Sequence, residues 1–289
     1  QISCVFQNRV PHFRRSLIAP KVGIAQSHKL LHDFTPGSNP AVIFGRDENG
    51  RHGNFHPESY ARIRANPAWV HRLAKVHTAS RRNRARSDWQ WMELDTANSS
   101  DALLMNIFCH PGVFNEGALN PRVASLLNVE LTTQPCFGIN PGVPLRSGKS
   151  GRANRVDRTE IDLQLGNLFV EAKLTETSFQ NARPHLIERY RDLETVFDIS
   201  RLPWTVDGIV KGYQLIRNVL AAFAGDASFC VLSDARRRDL IEVWYSVLSA
   251  VHYPSFAWRL KLLTWQELAT VLSPDLQQFL ETKYGITRA

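Results

Sequence analysis

Cysteine is scarce: the four cysteines, Cys4, Cys109, Cys136 and Cys230, are scattered with no Cys-x-x-Cys spacing. That argues against a cysteine zinc site or a disulfide framework, and for a reducing, cytoplasmic setting. No apolar run approaches the roughly 18 residues of a membrane-spanning helix. The first residues, Gln1-Ile-Ser-Cys-Val-Phe6, lack the apolar stretch of a signal peptide. They also lack an initiator Met, so the natural start is expected upstream. Internal repeats and low-complexity segments are absent too. Gly142-Val-Pro-Leu-Arg-Ser-Gly-Lys-Ser150 ends like a phosphate-binding loop, but the position that needs the first glycine is Val143. That excludes an ATP or GTP site of this kind. Cys109-His110, with His185 or His252 elsewhere, is too loose a set for a Cys/His nucleophile, and Cys109 reads as packed core.

Charge is what the chain has in excess. Its 289 residues carry a net charge of +8, with 43% hydrophobic residues. This composition is globular and favours a polyanionic partner. The cations are clustered. Arg72, Lys75, Arg81, Arg82, Arg84 and Arg86 fall in a stretch free of acids, with Trp89 and Trp91 just beyond. A second segment holds Arg146, Lys149, Arg152, Arg155 and Arg158, opposed only by Asp157. Either segment could be a solvated loop, or could hold a phosphate backbone.

The second basic segment runs into Arg158-Thr-Glu-Ile-Asp-Leu-Gln-Leu-Gly-Asn-Leu-Phe-Val-Glu-Ala-Lys173. Ile161, Leu163 and Leu165 alternate with Glu160, Asp162 and Gln164. Leu168, Val170 and Ala172 alternate with Phe169, Glu171 and Lys173. Period-2 alternation predicts two strands, and Gly166-Asn167 between them predicts a two-residue hairpin turn. Counting outward pairs Leu165 with Leu168 and Gln164 with Phe169. Asp162 then faces Glu171, and Glu160 faces Lys173. Directly facing carboxylates repel, so a divalent cation, Mg²⁺ or Mn²⁺, is the expected compensation. A second Glu-x-Lys, Glu281-Thr-Lys283, lies in a helical pattern with no partner strand and is expected to be a solvated helix face.

Asp162 followed by Glu171-Ala-Lys173 resembles the PD-(D/E)xK nuclease superfamily, with its restriction-endonuclease-like fold. The resemblance runs from about Asp101 to Leu232, and Thr175-Glu-Thr-Ser-Phe179 and Tyr213-Gln-Leu-Ile-Arg-Asn218 add to it. Ile161 stands where the proline that names the motif would be. The resemblance implies Mg²⁺-dependent hydrolysis of DNA, with Asp162, Glu171 and Lys173 catalytic. It also implies an upstream acid in the metal shell, for which Glu116 is the candidate, and Glu160 could serve a second metal. Gln214 and Arg217, three residues apart on one helix face, are candidates to reach the site or to bond internally.

The wider pattern predicts an α/β sandwich around a central mixed sheet, flanked by helices and preceded by a mostly irregular and helical N-terminal extension. The expected division is an extension over 1–97 and a nuclease-like core over 98–289. In the extension, 1–55 reads as an irregular arm, and two short helices are split at Pro67. Helices are predicted from Ser100 and from Asn120-Pro121, a first strand over Val129–Thr133, and a long loop over 134–157. Helices follow over 184–197 and 207–224, the latter closed by Gly225. A buried strand lies over 227–233, a helix over 235–250, a strand over 259–263, and helices open at Thr264 and Ser273.

Three functions fit: a metal-dependent endonuclease, a catalytically inactive nucleic-acid-binding protein on the same fold, and an α/β protein-interaction module. The expected partner is nucleic acid, DNA by resemblance, with no membrane. A homodimer is compatible.

Overall fold

The structure, a computed structural model, describes residues 21, 24–35, 40–76, 91–146 and 155–288. The chain forms two compact units, Gln1–Cys136 with Trp265–Ala289, and Phe137–Thr264.

The first unit holds two small antiparallel pairs, β1 (His32–Phe34) with β2 (Val42–Phe44), and β3 (Phe114–Asn115) with β4 (Ala118–Leu119). Its helices include α1 (Pro57–Ala65), α2 (Pro67–Val70), α3 (Ser100–Phe108) and α4 (Pro121–Leu127), with α10 (Trp265–Ala269) and α11 (Pro274–Tyr284) from the C-terminal segment. Pro67 separates α1 from α2, because proline suits a first helical turn and breaks a helix interior. Ser99 caps α3 by accepting from Ala102 N–H, and Asn120 caps α4 through Arg122 N–H. Two cations of the first basic segment are structural here. Arg72 and Lys75 reach the buried Asp101 carboxylate at 2.6 and 2.7 Å, and Lys75 also meets Glu93 at 3.1 Å. Trp91 is buried, while Arg81, Arg82, Arg84, Arg86 and Trp89 lie outside the described residues.

The second unit is built on a five-stranded mixed sheet, ordered β13-β12-β9-β8-β5. The strands are β5 (Pro135–Ile139), which begins at the unit boundary, β8 (Ile161–Leu165), β9 (Leu168–Ala172), β12 (Ser228–Ser233) and β13 (Leu260–Thr264). β9, β12 and β13 are parallel neighbours, and β8 runs antiparallel to β9. Two short pairs accompany them, β6 (Val143–Pro144) with β7 (Val156–Asp157), and β10 (Asn181–Ala182) with β11 (Val210–Lys211). The helices are α5 (Pro184–Glu188), α6 (Leu193–Val196), α7 (Tyr213–Ala224), α8 (Arg238–Ser249) and α9 (Pro254–Ala257). α7 and α8 both pack against β12. Phe169, Phe229 and Val231 from the sheet share one core with Leu215, Val219 and Leu220 of α7 and Trp244 of α8. Each such burial contributes about 1.5–3 kcal/mol. This is the expected restriction-endonuclease-like α/β architecture.

Local expectations failed where proline, glycine or tyrosine overrides periodicity. The first sheet strand is β5, not Val129–Thr133. Proline opens it, which an edge strand tolerates because no partner needs that N–H. The loop expected over 134–157 therefore also contains β6 and β7. The helix expected over 184–197 divides into α5 and α6, because Tyr190 bridges to Leu145 instead of continuing a helix. The helix expected from Asp207 starts only at Tyr213. Val210 and Lys211 pair with β10, and Gly208 and Gly212 turn the chain at φ 69° and 74°. Gly225 ends α7 at φ −91°, and Asp226 takes the left-handed position instead. Lys283 departs most from expectation. α11 is a helix as predicted and Glu281 is exposed, but Lys283 is 1% exposed. Its ammonium donates to Gly53 O, Asn54 O and Asn54 Oδ1.

Candidate active site

The hairpin turns at Gly166-Asn167, with Gly166 at φ 55°. Its ladder pairs Leu165 with Leu168, Gln164 with Phe169 and Leu163 with Val170, the predicted register. Asp162 and Glu171 are the next positions on each strand. Beyond the ladder the Asp162 side chain turns to the partner backbone, and its Oδ2 accepts from Ala172 N–H at 2.8 Å. Glu160 lies one residue before β8 and is partly buried.

β9 is interior to the sheet, and Glu171 on its α7-facing side is fully buried. A buried carboxylate is costly unless charge-assisted hydrogen bonds satisfy it. Lys173 Nζ donates to Glu171 Oε1 at 2.6 Å, and Gln214 Nε2 donates to the same oxygen at 2.7 Å. Asn218 Nδ2 donates to Oε2 at 2.7 Å. Gln214 and Asn218 are one turn apart on α7 and so share a face. The buried Thr159 hydroxyl donates to Asn218 Oδ1 at 2.9 Å, which sets the amide with its NH₂ toward Glu171.

Lys173 N–H donates to Leu232 O at 2.8 Å, which extends the β9–β12 pairing to the lysine. Burial works to lower its pKa, but the charges of Glu171, Glu176 and Asp162 outweigh that and hold the ammonium above its ordinary value. The site stands where β9, β12 and β13 end, and the carboxyl ends of parallel strands are where α/β sheets bind ligands. Ser233, the β12 position next to Lys173, has a buried hydroxyl with no hydrogen-bond partner among the described residues.

Sequence reasoning missed three members of this cluster. Asn218 was legible as an amide four residues from Gln214 on an apolar helix. Thr159 carried no signal. Glu176 accepts from Leu174 N–H at 2.6 Å, and its place beside Lys173 follows from a turn that periodicity does not reveal. Arg217 and Gln214 diverge: Gln214 reaches Glu171, and the Arg217 guanidinium lies 5.2 Å from the Tyr213 ring centroid.

Arg155 and Arg158 are exposed on the approach to the hairpin. Asp157 between them is engaged by Arg189 and by the Tyr190 hydroxyl. Arg146 is exposed and paired with Glu194 at 3.0 Å. Lys149 and Arg152 lie outside the described residues. Glu116 belongs to the first unit. It is exposed at the β3–β4 turn, with left-handed backbone at φ 49°.

Among the described residues no helix is long and apolar enough to cross a membrane. No curated protein and no solved structure matches the chain. The model of the family described as "Restriction Endonuclease associating with ARP" matches residues 29–285, and the chain belongs to that family of restriction-endonuclease-like proteins.

Proposed function

We propose that the protein is a metal-dependent endonuclease that hydrolyses phosphodiester bonds in DNA through a PD-(D/E)xK-type site formed by Asp162, Glu171 and Lys173. One observation carries the reading. A fully buried carboxylate at a strand end is held by an ammonium and two helix amides, with a second carboxylate fixed on the adjoining backbone. Family membership supports the same class of chemistry.

The donor set fits Mg²⁺ or Mn²⁺, since Asp162 and Glu171 offer hard carboxylate oxygens. The buried Ser233 hydroxyl, at the β12 position next to Lys173, is a further polar atom without a hydrogen-bond partner among the described residues. When bound, the cation would polarise a phosphoryl oxygen and make a bound water more acidic. Gln214 and Asn218 keep Glu171 in one orientation, and Thr159 keeps Asn218 from flipping. Lys173 remains an ammonium, placed to orient the attacking water and to offset charge that develops on the phosphorane-like transition state. Arg155 and Arg158, with Lys149, Arg152 and the cations over 81–86, would hold the phosphate backbone without reading sequence. Glu160 is proposed as a secondary acid of the metal shell.

Supercoiled plasmid incubated with the full chain tests this. Nicking or linearisation with Mg²⁺ or Mn²⁺, abolished by EDTA, is expected. Equal cleavage with and without EDTA would contradict metal dependence, and intact plasmid with either cation would contradict DNA hydrolysis.

A further inference from the structure

A second cluster, wholly within the first unit, has the makings of a different centre. His56 is the residue before α1, and its side chain does not cap that helix. Glu58 stands in the first turn of α1. His110 follows the last residues of α3, and Asp275 stands in the first turn of α11. Segments far apart in the chain thus converge on one point.

Their donor atoms are close. His110 Nε2 lies 3.1 Å from Asp275 Oδ2 and 3.5 Å from Glu58 Oε2, and His56 Nε2 lies 4.0 Å from the same Asp275 oxygen. One donor atom from each of His56, His110 and Asp275 lies within 4.8 Å of the others. Ligands about 2.0–2.1 Å from a tetrahedral ion are about 3.3 Å apart, so the separations bracket those of a coordination shell.

The polar atoms are also unsatisfied. The His110 side chain is 2% exposed, and its Nε2, 3.1 Å from the Asp275 oxygen, makes no well-aligned hydrogen bond among the described residues. His56 Nδ1 is buried with no hydrogen-bond partner among the described residues. Buried polar atoms in this condition call for a water or an ion. The two carboxylates open the site to solvent, with side chains 51% and 59% exposed for Asp275 and Glu58. Burial holds both imidazoles below their usual pKa, against the pull of the Asp275 and Glu58 charges. Two carboxylates converging on His110 form a cluster that a dication would suit.

We propose that His56, His110 and Asp275, with Glu58, bind a divalent transition cation, Zn²⁺ by its donor set, at a site separate from the proposed nuclease centre. Two imidazoles select against Mg²⁺ and favour zinc-like ions. Bound there, the ion ties α1, the end of α3 and the start of α11 together, so its role is structural.

One feature makes the site distinctive. Gly112 N–H donates to His110 Nδ1 at 3.0 Å, so the metal-free neutral ring carries its proton on Nε2. Coordination through Nε2 replaces that proton. The ring is then protonated at Nδ1 from solvent, and the Gly112 hydrogen bond is given up.

The test uses the full chain, stripped with chelator and desalted, titrated with ZnCl₂ or MgCl₂ by calorimetry. Histidine tautomers are followed by long-range ¹H–¹⁵N NMR. Zn²⁺ should raise the melting temperature and move His110 from the Nε2–H to the Nδ1–H form, and Mg²⁺ should do neither. Asp275→Asn, at a half-exposed position, should weaken this Zn²⁺ event at least tenfold, as should His56→Gln. Asp162→Asn should leave it unchanged, which separates this site from the nuclease centre. An unchanged His110 tautomer at saturating Zn²⁺ would overturn the proposal. So would Asp275→Asn and His56→Gln both binding as tightly as wild type.

Discussion

Glu171 is the residue on which the proposed chemistry turns, and its surroundings are only partly written in its own strand. Alternation marks it as polar on a half-buried hairpin. Its full burial goes instead with α7, whose Gln214 and Asn218 lie against its carboxylate. The sequence made Asp162 and Glu171 a facing pair. The structure keeps them at adjoining positions but turns Asp162 onto the Ala172 N–H. A side chain that substitutes for a strand acceptor leaves no trace in periodicity. Asn218 gives a prediction at this scale. Asn218→Asp would set a second carboxylate against Glu171 Oε2 and raise the pKa of the pair, since like charges disfavour ionisation. The proposed mechanism uses the ionised form, so the onset of cleavage should move to higher pH in a pH–rate profile, while DNA affinity stays near wild type. Asn218→Ala would leave Thr159 and Glu171 without this partner, at a cost of about 1–3 kcal/mol in stability, readable by denaturant titration.

α7 is the element that delivers Gln214 and Asn218, and its starting point was the least legible feature of the fold. Apolar periodicity runs back to Asp207, but Val210 and Lys211 are claimed by β10, and Gly212 turns the chain into the helix at φ 74°. A Cβ at Gly212 would lie 3.0 Å from Val247 Cγ2 and 3.1 Å from Val243 Cγ1, both on α8. Gly212→Ala should therefore cost about 1–2 kcal/mol from the left-handed backbone, with crowding added. Thermal unfolding should show a lower melting temperature, and cleavage should fall with it as the amide pair shifts. The β8–β9 hairpin was more legible, because a Gly-Asn turn fixes register by counting, and the observed ladder follows that count. β12 was legible as a continuous apolar run, as an interior parallel strand must be.

For the whole molecule, composition indicated a polyanion-binding surface but not how the charge is spent. Arg72 and Lys75 go to Asp101, and Lys283, which looked like a solvated helix cation, is buried together with Lys21 in the first unit. Lys21 donates to Ala97 O and Asn98 Oδ1, and its burial lowers its pKa to about 7. Burial also holds Lys283 well below the ordinary lysine range, with the Lys21 charge adding to the effect. Between pH 7 and the unfolded lysine value near 10.5, the unfolded chain binds more protons than the folded one, so stability rises with pH. Cys109, whose burial raises its thiol above 9.0, opposes that trend above pH 9. The melting temperature should accordingly climb from pH 7 to pH 9, and Lys21→Met should flatten the climb. The central claim, that Asp162, Glu171 and Lys173 form a hydrolytic centre, is tested most directly by single-turnover cleavage of one DNA duplex in Mg²⁺. Wild type would be compared with Asp162→Ala and Lys173→Ala under conditions where all three bind the DNA. Loss of about 10²–10⁴-fold in rate for each variant is predicted, the range typical of a positioned catalytic group. Equal rates in all three proteins would contradict it.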